Sequence, residues 1–340
     1  MNNYNNRSQT STRPGQHGQR DVRSRWAQET LDILQQGYYQ APSGKDVPIG
    51  QQVERTIREA VLYRPQEREA VQQAAEQQLQ QRIATKLAAP TSAAETAESS
   101  GLPIEHTHSV CEAHNDPSSP NEHRCGAIIE CTTETTLQAA ERLAVQEQYP
   151  HVMALNFASA RNPGGGFLGG SQAQEESLAR SSSLYPSIVQ MDEMYKHNRR
   201  EQSCMYSDYM IYSPAVTVFR NDDGSLREQP YAVSMLTAPA VNAGIVHERE
   251  PEQAYRIEAV MKQRIRYMLA VAAAHEQKVL VLGAYGCGVF RNDPEQVATW
   301  FNDILQGEQY ALLFDKIVFA ILDRSKQGNV IRPFRQLATV

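Results

Sequence analysis

The chain has 340 residues, 41% of them hydrophobic and 21% charged, enough for one large globular domain with an accessory piece or for two modest domains. A formal net charge of −6 argues against broad electrostatic binding to nucleic acid or to an anionic membrane, and no apolar run approaches the ~20 residues that cross a bilayer. Five cysteines at irregular positions (111, 125, 131, 204 and 287) and an N-terminus without an apolar signal core point to a soluble protein of a reducing, cytoplasmic compartment; export by a route that reads no N-terminal signal is the alternative.

Residues 1–22 are rich in Asn, Gln, Ser, Gly and Arg with almost nothing to bury, and are expected to be disordered. "RWAQETLDILQQGYY" then carries Trp26, Thr30, Ile33 and Leu34 at helical spacing, with Gly37 as the stop. "GQQVERTIREAVLY" and "PQEREAVQQAAEQQLQQRIATKLA" continue in the same helical manner, the second as a solvated helix with a narrow apolar stripe. "APTSAAETAESSG" reads as a linker. The expected division is a tail at 1–22, a helical accessory region with its linker at 23–100, and the main domain at 101–340.

A polar stretch over residues 103–126 lacks periodicity. Its His106, His108, Cys111, His114, His123 and Cys125 lack the paired spacing of a zinc site, so it is read as a surface insertion, with no metal expected. Beyond it, strand and helix patterns alternate. "GAIIECT", "HVMALNFA", "DYMIYSPAVTVF", "YAVSMLTAPAV", "KVLVLGAY" and "KIVFAIL" are strand-like. "TTLQAAERLAVQEQ", "EAVMKQRIRYMLAVAAAHE" and "PEQVATWFNDIL" are helical. That alternation implies a layered α/β sheet.

Two glycine loops follow strands. "NPGGGFLGGSQAQEESLAR" places five glycines between positions 164 and 170 and then two adjacent acids, Glu175 and Glu176. Ser171 followed by Gln174 has the capping-box pattern, which predicts a helix start there. Three consecutive glycines are costly to order, which favours a binding role over a mere turn. The second loop is "GAYGCGVFRNDP", where Asp293 or Asn292 can cap a helix whose first residue is Pro294. Strand, glycine loop and helix N-terminus together present backbone N–H groups to a phosphate. Neither loop has the P-loop or dinucleotide fingerprint, and two of them in one domain suggest a diphosphate held between them. Cys287 has no evident histidine partner and is read as a small side chain under the loop. Tyr185, Tyr206 and Tyr212 are read as core aromatics, with adenine stacking the alternative.

With these residues in view, the chain resembles the microbial-type poly(ADP-ribose) glycohydrolases, a branch of the macrodomain fold. Gly164-Gly165-Gly166 followed by Gln174-Glu175-Glu176 looks like their signature. "NFASARNPGGGFL", "DYMIYSPAVTVFR", "TAPAVNAG", "VLGAYGCGVFRNDP" and "VFAILD" look like family blocks in family order. The resemblance covers about residues 24 to 335. It implies a three-layer α/β/α macrodomain core with a mixed central sheet and a helical N-terminal extension. It also implies that Glu176 is the catalytic acid and that Glu175 holds ribose hydroxyls. Gly164, Gly165 and Gly166, with Gly286, Cys287, Gly288 and Val289, would cradle the diphosphate. Phe290 would pack on the ribose, and Asn156 and Gln174 would fix the distal ribose or the glutamates.

The implied reaction is hydrolysis of a ribose–ribose O-glycosidic bond, needing no cofactor or metal. The partners would be poly(ADP-ribose) or ADP-ribosylated protein, with ADP-ribose as product, and the protein is expected to be a monomer. Neighbours on a helix diverge by about 100°, so the two acids cannot share one job. An anionic diphosphate beside Glu176 would favour its acid form while the dipole at the helix start pulls toward the carboxylate, and the diphosphate could stabilise an oxocarbenium-like centre that most glycosidases serve with a second carboxylate. A mono-ADP-ribosyl hydrolase on protein or nucleic acid, and an ADP-ribose reader without turnover, stay open as alternatives.

Overall fold

Short runs of β-branched and aromatic residues form the strands of one mixed sheet, and the amphipathic segments between them cover both of its faces. The described residues, 16–88 and 126–339 of a computed structural model, begin with helix α1 (Gln16–Gln36) and a small hairpin of β1 (Tyr38–Gln40) and β2 (Asp46–Pro48). Helix α2 (Gly50–Glu59), strand β3 (Val61–Tyr63) and helix α3 (Arg68–Ala88) follow. The second segment opens with β4 (Ile128–Thr132), α4 (Thr136–Glu141), β5 (Val152–Phe157), α5 (Gln174–Ser181), α6 (Leu184–Val189) and α7 (Asp192–Arg200). Next come β6 (Met210–Arg220), β7 (Leu226–Ala238), α8 (Ala243–Arg249), α9 (Ile257–Ala274) and β8 (Val279–Leu282). The last elements are α10 (Pro294–Asn302), β9 (Lys316–Ala320) and α11 (Ile331–Arg335). Residues 1–15, the whole linker, and the His- and Cys-bearing stretch up to residue 125 lie outside the described residues. No helix among the described residues is long and apolar enough to cross a membrane.

The seven strands lie in the order β3-β6-β7-β5-β8-β9-β4. They are parallel from β7 to β4 and antiparallel at β6–β7 and β3–β6. On one face Ala75 and Leu79 of α3, Met261 and Ile265 of α9, and Phe301 of α10 pack with Leu155, Leu280 and Phe319. On the other, Leu137 of α4, Leu178 of α5, Leu184 of α6 and Met194 of α7 cover Ala154, Val218 and Val281. Strand β5 is therefore buried on both sides, as its unbroken VMALNF run requires. This is the expected three-layer α/β/α architecture with a mixed sheet.

Three local differences from the sequence reading have physical causes. Helix α1 reaches back to Gln16, into the stretch read as tail, because Arg20 and Arg23 find acceptors on a distant loop. "AVLY" does not continue α2: Ala60 turns extended, and β3 takes its backbone partners from the edge of β6. Ser171 does not cap α5. The N-cap is Ala173, without a side-chain bond, because the Gln174 side chain is drawn inward instead.

Candidate functional site

In open α/β sheets, ligands bind beyond the carboxyl ends of parallel strands. Strands β5 and β8 are parallel neighbours, so the two glycine loops leave the sheet side by side. Between them lies a cavity of about 980 Å³. Its walls include Gly165, Gly166, Glu175 and Glu176 on one side and Gly288 and Phe290 on the other.

The first loop and α5 are tied together by side chains. Oε1 of Gln174 accepts the backbone N–H of Phe157 at 2.9 Å. Its Nε2 donates to the carbonyl of Leu155 at 2.6 Å and to Thr136 Oγ1 at 3.1 Å. Gln174 thus pins the start of α5 to the end of β5. Glu175, next in line, is 3% exposed, and its Oε2 accepts the N–H of Ser159 at 2.7 Å. Burial pushes its carboxyl up to about 8, against the pull of the Ser159 N–H and with a further push from Glu176. Asn156 is fully buried behind it, donating to Glu175 Oε1 at 3.5 Å and to Thr237 Oγ1 at 3.1 Å.

Glu176 is half-exposed at the cavity wall, where its Oε1 accepts the N–H of Gly166 at 3.0 Å. The backbone comes this close because Gly165 has a φ of +59° and no Cβ: one there would lie 2.5 Å from Glu176 Oε1. Gly164 also has positive φ, but its open side faces the Phe167 ring rather than the cavity.

The second loop ends in a formed cap. Asp293 accepts the N–H of Glu295 at 2.9 Å, and Pro294 opens α10. Asn292 turns inward and donates to the carbonyls of Val241 at 2.8 Å and Gly286 at 3.0 Å. Gly286 and Cys287 line the cavity, as does Val289, 79% exposed at its lip. Among the described residues, no acceptor takes the N–H groups of Gly286, Gly288, Val289 or Phe290. Burial pushes the Cys287 thiol up to about 12, which removes the thiolate a nucleophile needs. Phe290 rests 5.9 Å from the Tyr206 ring; Tyr185 packs on Phe167 and Tyr212 stacks on His275, both away from the cavity wall.

The structure thus brings Gly165, Gly166, Gln174, Glu175 and Glu176 to one wall and Gly286, Cys287, Gly288, Val289 and Phe290 to the other, with Asn156 and Gly164 behind the first. Sequence reasoning missed Asp323 and Arg324, which also line the cavity. Their signal was available: a polar turn, "DRSKQG", at the carboxyl end of a parallel strand. Among the described residues no group of three His, Cys, Asp or Glu side chains could hold a metal ion.

The family profile described as "Microbial-type PARG, catalytic domain" matches residues 27–221. The structure of poly(ADP-ribose) glycohydrolase from Thermomonospora curvata bound to the inhibitor ADP-HPD is similar at 37% identity and a TM-score of 0.75, covering 93% of this chain and 99% of that one. The Deinococcus radiodurans enzyme in complex with ADP-ribose is similar at 38% identity and a TM-score of 0.66, covering 84% and 96%. Among curated proteins none matches significantly. A glycine turn and the helix start that follows it carry the GGG…QEE signature, and with a fold shared over nearly the whole length of these enzymes they lead to one assignment: the chain belongs to the microbial-type poly(ADP-ribose) glycohydrolase family.

Proposed function

We propose that the protein hydrolyses the ribose–ribose O-glycosidic bonds of poly(ADP-ribose) and releases ADP-ribose, with Glu176 as the general acid and base. The observation that carries this reading is the unequal setting of two neighbouring acids. Glu175 is buried and engaged by Ser159, whereas Glu176 stands at the cavity wall with its carboxylate against a glycine turn. Glu176 would protonate the departing ribose oxygen and then, as carboxylate, take a proton from the attacking water. The unclaimed N–H groups of Gly286, Gly288, Val289 and Phe290 suit a diphosphate, which would lie across from Glu176 and offset the developing positive charge. Glu175 and Asn156 would hold the ribose side of the site rigid. ADP-HPD and ADP-ribose in the related Thermomonospora and Deinococcus structures support an ADP-ribosyl ligand here.

The test is to incubate the wild-type protein with poly(ADP-ribose) and, separately, with mono-ADP-ribosylated protein, and to follow free ADP-ribose by chromatography. Release from the polymer is the expected result. Binding of ADP-ribose without release from either substrate would leave a reader in place of an enzyme. Release only from the mono-modified protein would move the reaction to a different ADP-ribosyl bond.

A further inference from the structure

Four consecutive carbonyl oxygens of the first glycine loop each accept a hydrogen bond from a side chain outside it. Ser24 Oγ donates to the carbonyl of Leu168 at 2.7 Å and Arg20 Nε to that of Gly169 at 2.7 Å. Arg23 Nε donates to that of Gly170 at 2.8 Å, and Arg180 Nη1 to that of Ser171 at 2.6 Å. Three of these donors stand on α1, some 145 residues away in sequence. The contact is close, since a Cβ on Gly170 would lie 2.1 Å from the carbonyl oxygen of Arg20, so only glycine fits there.

On the other side of the same peptides, the N–H groups of Gly169 and Ser171 both donate to the carbonyl of Gly166, at 3.1 and 3.2 Å. Gly166 in turn donates its N–H to Glu176 Oε1 at 3.0 Å. A series of hydrogen bonds, joined through the Gly166 backbone, therefore links the α1 side chains and the loop to the carboxylate at the cavity wall. Packing holds α1 in register: Ala27 is buried against Phe167 and Ala179, and Thr30 Oγ1 donates to the carbonyl of Arg180 at 2.5 Å. The helix also grips the hairpin between β6 and β7. Glu29 pairs with Arg220 at 2.9 Å, and the Trp26 ring covers Gly224, two residues from Asp222 on the cavity wall.

We propose that α1 is a positioning element for Glu176: Arg20, Arg23 and Ser24 fix the carbonyl side of the glycine loop, so that the Gly166 N–H keeps the carboxylate turned to the cavity. A glycine-rich loop has few side chains with which to hold its own shape, and these donors supply further restraint from outside. The inference rests on the reading of Glu176 as the catalytic group. None of the three side chains lines the cavity, so their effect is on the geometry of the reacting group and not on ligand contact.

The experiment compares wild type with Arg20→Ala/Arg23→Ala, Arg20→Lys/Arg23→Lys, Glu176→Gln and, as control, Arg25→Ala, an exposed position on the same helix. ADP-ribose binding is measured by calorimetry, which gives both Kd and the number of competent sites; kcat on poly(ADP-ribose) is then expressed per competent site. The double alanine variant should lose about tenfold or more in kcat per site, with Kd for ADP-ribose within about twofold of wild type, as expected for a misplaced catalytic group. The lysine pair, which keeps the charge and N–H donors on each side chain, should recover most of the loss, and Arg25→Ala should match wild type. An unchanged kcat per site in the double alanine variant overturns the inference. So does a loss in which Kd weakens by the same factor, since that is a general loosening of the site. If the double variant binds no ADP-ribose, Arg20→Ala and Ser24→Ala singly decide by the same two readouts. A wild type inactive on the polymer overturns the functional reading itself and takes this inference with it. Loss of activity in Glu176→Gln beside full activity in the arginine variants overturns the inference alone.

Discussion

The carboxylates of Glu175 and Glu176 are held by opposite sides of one loop: Glu175 Oε2 takes the N–H of Ser159 at 2.7 Å, and Glu176 Oε1 takes that of Gly166 at 3.0 Å. Successive helical residues point about 100° apart, so one side chain goes under the loop and the other out along it. A single dipeptide therefore supplies one buried acid and one accessible acid.

Removing the accessible acid should remove the reaction and spare the binding. Glu176→Gln keeps the shape and the acceptor for Gly166 but has no proton to give at neutral pH. Turnover of poly(ADP-ribose) should fall by about 10²–10⁴-fold, the usual range for loss of a general acid or base, with ADP-ribose affinity little changed. Steady-state release assays beside calorimetry measure both. A variant retaining most of its turnover would move the acid to another residue.

The buried acid should make itself felt in stability instead. Folding raises the Glu175 carboxyl from an ordinary value of 4.5 to about 8. Within that window the folded protein keeps a proton that the unfolded chain has released. The stability contribution of this group is therefore fully present below about pH 4.5 and is lost as the pH rises toward 8. The limiting slope for one such group is about 1.4 kcal/mol per pH unit. Glu175→Gln, neutral at every pH, should unfold at a higher temperature than wild type at pH 8.5, and the gap should close by pH 5. Identical pH profiles of the two melting temperatures would contradict a buried, protonated Glu175.

Two glycines in the paired loops should respond differently to one added methyl. In Gly165→Ala the new Cβ meets Glu176 Oε1 at 2.5 Å in a backbone at φ +59°, so the carboxylate or the loop must shift. Displacement of this kind at a reacting group costs up to about 100-fold in kcat. Gly288→Ala meets nothing within 4 Å, and its melting free energy should stay within about 0.5 kcal/mol of wild type. Any steric cost of Gly288→Ala should fall on ligand affinity, since that residue lines the cavity. Equal effects of the two substitutions on kcat would be inconsistent with this packing.

A buried cation supports the far wall. Arg264 is completely buried, donates to Asp208 at 3.0 Å and to the Pro239 carbonyl at 2.9 Å, and reaches the carbonyls of Met205 and Tyr206. It thereby joins the segment ahead of Ala240, on the cavity wall, to Tyr206, which packs on Phe290. Arg264→Met should cost about 3 kcal/mol or more, because three carbonyls and part of Asp208 lose their donor inside the protein. Urea denaturation reads this directly, and an unchanged midpoint would show that the cluster is dispensable.

The strands and long helices were legible because burial on a two-sided sheet forces period-2 or unbroken apolar runs, and helices on its faces need a 3.6-residue stripe. The glycine loops and the adjacent acids were legible because three consecutive glycines are costly to order and two neighbouring acids at a helix start stand out in the sequence. What stayed hidden depends on partners distant in the chain. Nothing around Gln174 distinguishes a helix cap from a brace reaching Leu155 and Phe157. The three residues of β3 are too few to show a period, and only the edge of β6 makes them a strand. Arg20 sits in a stretch whose composition reads as tail, and its acceptor lies 149 residues away.

The chain has only two tryptophans, and they sit in different worlds. Trp300 is buried in the core, whereas Trp26 is a partly exposed ring on α1 laid over Gly224. Replacing Trp300 with phenylalanine would leave an intrinsic fluorophore at the seam between the N-terminal helix and the catalytic body. Its emission would then signal whether that seam is closed or open, in real time and without a label.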